Sequence, residues 1–330
     1  MSRDAIIAMP KVELHVHLEG AITPETLLGL ARRHGITLPA SDAAQLRAWC
    51  RFTDFAHFVK VYLAISDCLR SAEDIELVAR DFLAQQAAQH VVYTEFTYTA
   101  YTHWYFKQMP FDAQLAALNR ARAWAAQTLG VSSGIVLDIP RIITPDKALL
   151  IADWAISAMH DGVVALGLGG SEAGNPPARY AAAFERARAA GLPAVPHAGE
   201  TAGPESIRGA LALGAVRLGH GVRCVEDAAL VEELRAAQTM LEVCPTSNVC
   251  LGVVPRYEDH PLPRLLAAGL NVCVNSDDPA LFGRSLTEEL IACHERLSLS
   301  VETLRRLQRR AAEAALLSRA DRDRLLGQLG

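Results

Sequence analysis

The chain has 330 residues, of which 51% are hydrophobic, 21% charged and 6% aromatic, and its formal net charge is −5. This composition excludes an intrinsically disordered chain, and its mild acidity provides no basic surface for nucleic acid, so we expect a small-molecule partner. One α/β barrel can occupy this length, and no linker-like segment divides it, so we expect a single domain over residues 1–330.

The sequence predicts neither a membrane segment nor an export signal. No uninterrupted apolar run reaches the ~18 residues typical of a bilayer-spanning helix, and the first residues lack the apolar stretch of a signal peptide. Seven cysteines form an odd set without framework spacing, which indicates reduced thiols. We therefore expect a cytoplasmic protein, and the sequence makes no prediction of its oligomeric state.

Short apolar runs alternate along the chain with longer segments rich in Ala and Leu. The predicted strands are 12–17, 91–98, 134–139, 163–168, 193–197, 216–220, 240–244 and 271–275. Amphipathic helices are predicted between them, among others over 75–89, 111–128, 145–159, 179–190 and 228–238. Near-continuous apolar strands indicate a parallel sheet buried on both faces, and eight strand–helix units are the number that closes a TIM (β/α)8 barrel.

Residues 23–70 are helical in pattern but too long for a single crossover. We expect them to add extra helices near the N-terminus, over the barrel mouth. The alternative fold is a doubly wound open sheet, which needs a glycine-rich turn after its first strand. The one such candidate, Gly167-Leu168-Gly169-Gly170, follows the fourth predicted strand, so the barrel is favoured.

Ligand-type residues stand at the ends of four predicted strands, where a TIM barrel carries its chemistry. The first strand ends in His15 and His17, the fifth in His197 followed by Glu200, the sixth in His220, and the eighth is followed by Asp277 and Asp278. His15 and His17 are two residues apart, so both side chains project from the same face of a strand.

Three imidazoles and one carboxylate form a suitable ligand set for zinc, so His15, His17, His197 and Asp277 are predicted to hold one metal ion. A bound metal lowers the pKa of water toward ~7. His220 could hold or deprotonate that water, and Glu200 could give a proton to the substrate. The remaining histidines in helical or loop patterns are assigned surface or capping roles: His34, His57, His90, His160, His260 and His294.

Taken together, the motifs resemble the adenosine deaminase-like family of the amidohydrolase superfamily. Residues 9–20 (MPKVELHVHLEG) are similar to the family's opening, and three further motifs match in order: His197-Ala198-Gly199-Glu200, Leu218-Gly219-His220-Gly221 and Ser276-Asp277-Asp278-Pro279. The likeness extends from about residue 9 to residue 320. It implies a TIM barrel with one zinc ion per chain that removes the 6-amino group of an adenine-containing nucleoside as ammonia.

The resemblance also implies a role for each matching residue. His15, His17, His197 and Asp277 would bind zinc, Glu200, His220 and Asp277 would be catalytic, and His17, Glu19, Gly170 and Asp278 would contact the substrate. Glu200 would protonate ring N1 while water, oriented and deprotonated by His220, attacks C6. Asp278 would hydrogen-bond N7, and the backbone at Gly170 would contact N3. Glu19 replaces the aspartate with which animal adenosine deaminases contact the ribose, so this contact is expected to differ.

Several alternatives remain open. Adenosine, adenine and 6-aminodeoxyfutalosine are all candidate substrates, and the aromatic stretch with Trp104 and Tyr105 resembles the bacterial branches acting on the last two. A binuclear amidohydrolase is disfavoured because the fourth strand ends in glycine where a metal-bridging residue would stand. A cytidine-deaminase type of site is disfavoured because no P-C-x-x-C motif follows. A non-catalytic purine-binding protein is disfavoured because the metal ligands, the proton donor and His220 are all present.

Overall fold

The computed structural model describes residues 2–52 and 54–330, in which eight β-strands form one parallel sheet in sequence order. At least one helix follows every strand, which confirms the predicted TIM barrel. The strands are β1 (Lys11–His17), β2 (Val91–Tyr98), β3 (Ser132–Pro140), β4 (Val163–Gly169), β5 (Ala194–Ala198), β6 (Arg217–His220), β7 (Met240–Val243) and β8 (Val272–Val274).

The helices lie between and after these strands. They are α1 (Ser2–Ala8), α2 (Pro24–His34), α3 (Ala43–Trp49), α4 (Phe55–Ser66), α5 (Ala72–Ala88), α6 (Ala100–Lys107), α7 (Phe111–Thr128), α8 (Pro145–Ser157), α9 (Ala181–Ala189), α10 (Pro204–Ala212), α11 (Ala228–Ala237), α12 (Pro245–Cys250), α13 (Leu262–Ala267), α14 (Pro279–Phe282), α15 (Leu286–Arg296), α16 (Val301–Ala314) and α17 (Arg319–Leu329). Short 3₁₀ helices cover Glu19–Ala21, Pro177–Tyr180, Val222–Glu226 and Tyr257–Asp259. No helix in this part of the chain is long and apolar enough to cross a bilayer.

The predicted strands agree with the observed ones to within a few residues because the strands are buried on both faces. All seven residues of β1 are buried, polar ones included. The largest difference is at β3, which begins at Ser132, two residues before the predicted start at residue 134, and ends at Pro140. All seven cysteines, which lie in the described residues, are free thiols as expected. The single domain over residues 1–330 stays a prediction.

The connection from β1 to β2 contains α2, α3, α4 and α5, so the long helical segment divides into several short helices. One of them, α4, contacts the carboxyl end of the barrel. The ring centroid of its Tyr62 lies 6.5 Å from that of His17, and its Phe58 stacks on Phe282 of α14 at 5.7 Å. A cover formed by the other helices of this connection stays a prediction.

Few backbone hydrogen bonds join β8 to β1, where the barrel closes. Val16 and Asp277 form an isolated parallel bridge. In this bridge the amide of His17 donates to the carbonyl of Asp277 at 2.8 Å, and the amide of Asp277 donates to the carbonyl of His15 at 3.2 Å. Asn275 Oδ1 adds two bonds by accepting from consecutive amides of β1 at 2.9 and 3.2 Å. The junction therefore depends on residues of the predicted metal site.

A charged network fills the barrel interior below this end. Arg217 of β6 is 2% exposed, and its guanidinium donates to Glu242 Oε1 of β7 at 2.6 Å and to Glu95 Oε2 of β2. The hydroxyl of Tyr93 donates to Glu95 Oε1 at 3.0 Å. Charges removed from water in this way need partners, and each carboxylate here has one.

Candidate metal centre and active site

The four predicted metal ligands meet at the carboxyl end of the barrel. Candidate ligand atoms of His15, His17, His197 and Asp277 all lie within 4.8 Å of one another. Asp277 Oδ1 is 3.5 Å from His15 Nε2 and 3.4 Å from His17 Nε2. His17 Nε2 faces His197 Nε2 at 3.1 Å, and the buried His15 Nε2 has no hydrogen-bond partner. One cation would satisfy all these nitrogens together, so the donor set fits a zinc ion.

The charges around His15 favour a cation at its outer nitrogen. Burial lowers the pKa of His15, but the carboxylates of Asp277 and Glu242 outweigh burial and raise the pKa to about 10. The surroundings therefore stabilise positive charge on this ring, which a divalent cation can supply in place of a proton. Glu242 Oε2 accepts from His15 Nδ1 at 3.0 Å, which leaves Nε2 available to a metal.

Strained backbone positions two of the site residues. His220 has φ 61° and Asp277 has φ 65°, both in the left-handed region that costs a residue with a side chain about 1–3 kcal/mol. His220 is the last residue of β6 and Asp277 follows β8, and His220 Nε2 lies 3.8 Å from both Asp277 Oδ2 and Glu200 Oε2. Among the non-glycine residues of the described chain that share this conformation, His220 and Asp277 are the two that the sequence assigns to chemistry.

A chain of hydrogen bonds determines which nitrogen of His220 carries the proton. The amide of Leu262 can only donate, and it donates to His260 Nδ1 at 3.1 Å, so neutral His260 carries its proton on Nε2. That N–H donates to Asn248 Oδ1 at 3.1 Å, and Asn248 Nδ2 donates to His220 Nδ1 at 3.3 Å. Burial lowers the pKa of His220 to about 4, so the ring is neutral and presents an Nε2–H to the site.

Glu172 holds the loop that carries Glu200. Its carboxylate accepts from the amides of Gly199, Glu200 and Thr201 at 2.9, 2.9 and 2.8 Å, and from the hydroxyl of Ser206. Burial raises the pKa of Glu200 well above its ordinary value. The surroundings therefore favour the protonated form of Glu200, and the loop that presents it is anchored on several sides.

Glu19 and Asp278 line the mouth with oxygens that lack partners. Glu19 Oε1 accepts from the amide of Thr99 at 3.1 Å and lies 3.3 Å from His103 Nε2, while its Oε2 is buried and unpartnered. Asp278 Oδ1 is also buried and unpartnered. Gly20 makes room for it, since a Cβ there would lie 1.7 Å from this oxygen. Burial raises the pKa of Asp278 well above its ordinary value, so this group can donate a hydrogen bond.

Sequence reasoning missed the residues that hold the predicted ones in place. Glu242 carried a signal, because a carboxylate inside an apolar predicted strand must find a buried partner. Glu172 and Asn248 gave no local signal, since their partners lie on other elements. His260 caps α13 as predicted, because its Nδ1 accepts from the amide of Leu262, the first residue of that helix. It is not a surface residue, however, since it is 3% exposed and is connected to the site through Asn248.

The fold and the site together define a class of protein. A TIM barrel with a His-x-His pair at the end of β1 and further candidate metal ligands at the end of β5 and after β8 is typical of the amidohydrolase superfamily. The family model for adenosine deaminase matches residues 10–330, so the chain belongs to the adenosine deaminase family. It is therefore a hydrolase of C–N bonds in cyclic amidines, as the resemblance implied.

Curated and solved relatives agree with this family. The adenine deaminase of Bordetella avium is 41% identical over 306 residues, which cover 92% of this chain and 96% of that protein. The solved adenine deaminase of Arthrobacter aurescens matches with a TM-score of 0.93 and 36% identity, covering 98% of both chains. An amidohydrolase from Burkholderia ambifaria, solved with bound Zn, matches with a TM-score of 0.93 and 25% identity, covering 99% of this chain and 91% of that one.

Proposed function

We propose that the chain is an adenine deaminase that uses one zinc ion to hydrolyse the 6-amino group of the free base. The observation that carries this proposal is the meeting of three imidazoles and one carboxylate at one point of the mouth, where His220 Nε2 lies 3.8 Å from both Asp277 Oδ2 and Glu200 Oε2. Similarity to the adenine deaminases of Bordetella avium and Arthrobacter aurescens supports adenine as the substrate. Water and adenine would give the 6-oxopurine and ammonia.

His15, His17, His197 and Asp277 would hold the zinc ion. When bound, zinc supplies the Lewis acidity that makes a water molecule a usable nucleophile near neutral pH. Glu242 supports this arrangement by fixing the ring of His15 through its inner nitrogen.

Glu200 would act on the purine ring. As a protonated acid it can give its proton to N1 while water adds to C6, so that negative charge does not accumulate on the ring. The bond from C6 to the amino nitrogen would then break. The nitrogen would take up one proton of the added water and leave as ammonia, and the other proton would return to the Glu200 carboxylate. Glu172 keeps Glu200 in reach of N1 by fixing the loop backbone.

His220 and Asp278 would orient the reactants. The Nε2–H of His220 can donate to the oxygen of the attacking water, which favours holding the water over deprotonating it. Asp278 in its protonated form can donate to N7, which is an acceptor in the 9H form of adenine. The amide of Gly170, whose φ is 94°, would contact N3.

The aromatic residues that favoured 6-aminodeoxyfutalosine pack on neighbouring helices. Trp104 contacts the ring of Trp154 at 5.5 Å and that of Tyr101 at 5.5 Å, and Tyr105 is 52% exposed. These contacts give no support to stacking on an aromatic substrate group, so adenine remains the better candidate.

A substrate panel tests the proposal. Purified protein with its metal content measured is given adenine, adenosine and 6-aminodeoxyfutalosine, and ammonia release is followed for each on one preparation. We expect one zinc per chain and the highest kcat/KM for adenine. Inactivity on all three with full zinc loading would contradict deamination, and a clear preference for another purine would contradict adenine as the substrate.

A further inference from the structure

One carboxyl group of the mouth has no role in the reaction described above. Asp138 of β3 is 4% exposed, and its Oδ1 is buried without a hydrogen-bond partner. Burial raises the pKa of Asp138 to about 7, although a hydrogen bond from Thr99 lowers it. A buried carboxyl oxygen without a partner is costly, which indicates that a ligand completes its hydrogen bonding.

Asp138 faces the same space as the metal ligands. A Cβ built on Gly169 would lie 2.8 Å from Asp138 Oδ2 and 3.9 Å from His197 Cε1. Gly169, at the end of β4, therefore leaves open the space between the carboxyl group and the candidate metal site. An alanine there would fill this space.

Other unpartnered oxygens line the same part of the mouth. The hydroxyl oxygen of Tyr62 and Oε2 of Glu19 are both buried and have no hydrogen-bond partner. Burial raises the pKa of Tyr62, and the charges of Glu19, Asp278 and Asp138 raise it further. These groups thus surround one polar space at the carboxyl ends of the first, third and last strands.

The proposed pose of the purine determines which of its atoms lies nearest Asp138. N1 is assigned to Glu200 after β5, and N3 to the amide of Gly170 after β4. Along the purine from N1 through N3, the next nitrogen is N9. The same direction around the barrel leads from β5 through β4 to β3, which ends with Asp138 near the mouth.

We propose that Asp138 determines specificity for the free base by accepting a hydrogen bond from N9–H of a 6-aminopurine. In a nucleoside N9 bears the sugar carbon, so it has no hydrogen to donate, and the sugar would meet a buried carboxyl group. This inference rests on the proposed function and assigns the preference for base over nucleoside to one side chain.

The experiment compares adenine with 9-methyladenine, which keeps every other ring atom but lacks the N9–H. Wild type, Asp138→Leu and Asp138→Ala are assayed, with Asp146→Ala of α8 as an exposed control and zinc content and Tm measured for each. We expect wild type to prefer adenine by about 10-fold or more, the size of a lost hydrogen bond to a charged group. In Asp138→Ala, kcat/KM for adenine should fall by about 10-fold or more while that for 9-methyladenine does not, because only adenine uses the carboxyl group.

The ratio of kcat/KM for adenine to kcat/KM for 9-methyladenine separates an effect on specificity from a structural effect, because a structural effect would lower both values together. An unchanged ratio in both Asp138 variants, or a wild type that does not distinguish the two bases, would overturn the inference. Either result would leave adenine deamination by the wild type intact. Asp138→Leu fills the space without offering a hydrogen-bond acceptor, so it decides the question if the alanine variant does not fold. A wild type inactive on every 6-aminopurine would instead contradict the proposed function.

Discussion

At the scale of single residues, the surroundings shift the pKa values of two carboxyl groups in the mouth in opposite directions. Burial raises the pKa of Glu200 well above its ordinary value. Burial also acts on Asp277, but the imidazoles of His15, His220 and His17 outweigh it and lower the pKa of Asp277 well below its ordinary value. Two acids a few ångströms apart are therefore suited to opposite tasks.

Replacing the acid separates proton donation from metal binding. In Glu200→Gln the amide cannot supply the proton for N1, so we expect kcat for adenine to fall ~10²-fold or more. Zinc content should stay unchanged, because Glu200 is not a candidate ligand. Ammonia release and metal analysis on one preparation measure both, with the exposed Glu205→Gln as control. Unchanged turnover would show that the acid is assigned to the wrong residue.

At the scale of elements, the loop between β5 and α10 owes its conformation to a residue on another connection. Glu172 lies between β4 and α9 and accepts from successive amides of this loop. Its negative charge also helps to raise the pKa of Glu200. One side chain thus fixes the loop that carries Glu200 and contributes, after burial and Asp277, to the raised pKa of Glu200.

A charge-neutral replacement of Glu172 should change the pH profile. Without the negative charge, the carboxylate form of Glu200 becomes more stable and the pKa of Glu200 falls. The protonated acid is then lost at lower pH, so in Glu172→Gln the alkaline limb of kcat/KM should move to lower pH. Weaker bonds to the loop should also lower kcat by about 10-fold. A profile that falls in height without moving along the pH axis would contradict the electrostatic role.

The strands and loops also show how much of the fold and of the candidate site could be predicted from the sequence. All eight strands were predictable because strands buried on both faces are continuous apolar runs. Candidate ligands at the strand ends were predictable because the barrel brings those ends together. The partners of Glu172 lie 27 or more residues away, and those of Asn248 lie on β6 and near α13. Contacts of this kind follow from packing and leave no periodic pattern, so they emerge only from the structure.

At the scale of the whole molecule, the charges inside the barrel connect stability with the metal site. Arg217 lies between Glu95 and Glu242, and Glu242 holds His15. Arg217→Met would leave two buried carboxylates without their cation, and we expect a loss of about 3–5 kcal/mol in the free energy of unfolding. We also expect zinc affinity about 10-fold or more weaker, because the partner of a metal ligand is disturbed.

Urea unfolding and zinc titration measure these two effects. The control is Arg208→Met, which removes another arginine with two carboxylate partners, Asp227 and Glu233, but at the surface. Solvent screens that arrangement, so we expect little change in stability or zinc affinity. Equal destabilisation by both substitutions would argue against the special role of the interior network.

A metal ion bound at the proposed site would also stabilise the narrow junction between β8 and β1. His15, His17 and Asp277 belong to the two facing strand ends, and their backbones make the bridge that completes the circle. A cation held by all three side chains is therefore a crosslink between the first and last strands. Chelation should lower Tm as well as abolish turnover. It should also speed hydrogen exchange at the amides of His17 and Asp277, while the amides joining β2 to β3 over six residue pairs stay protected.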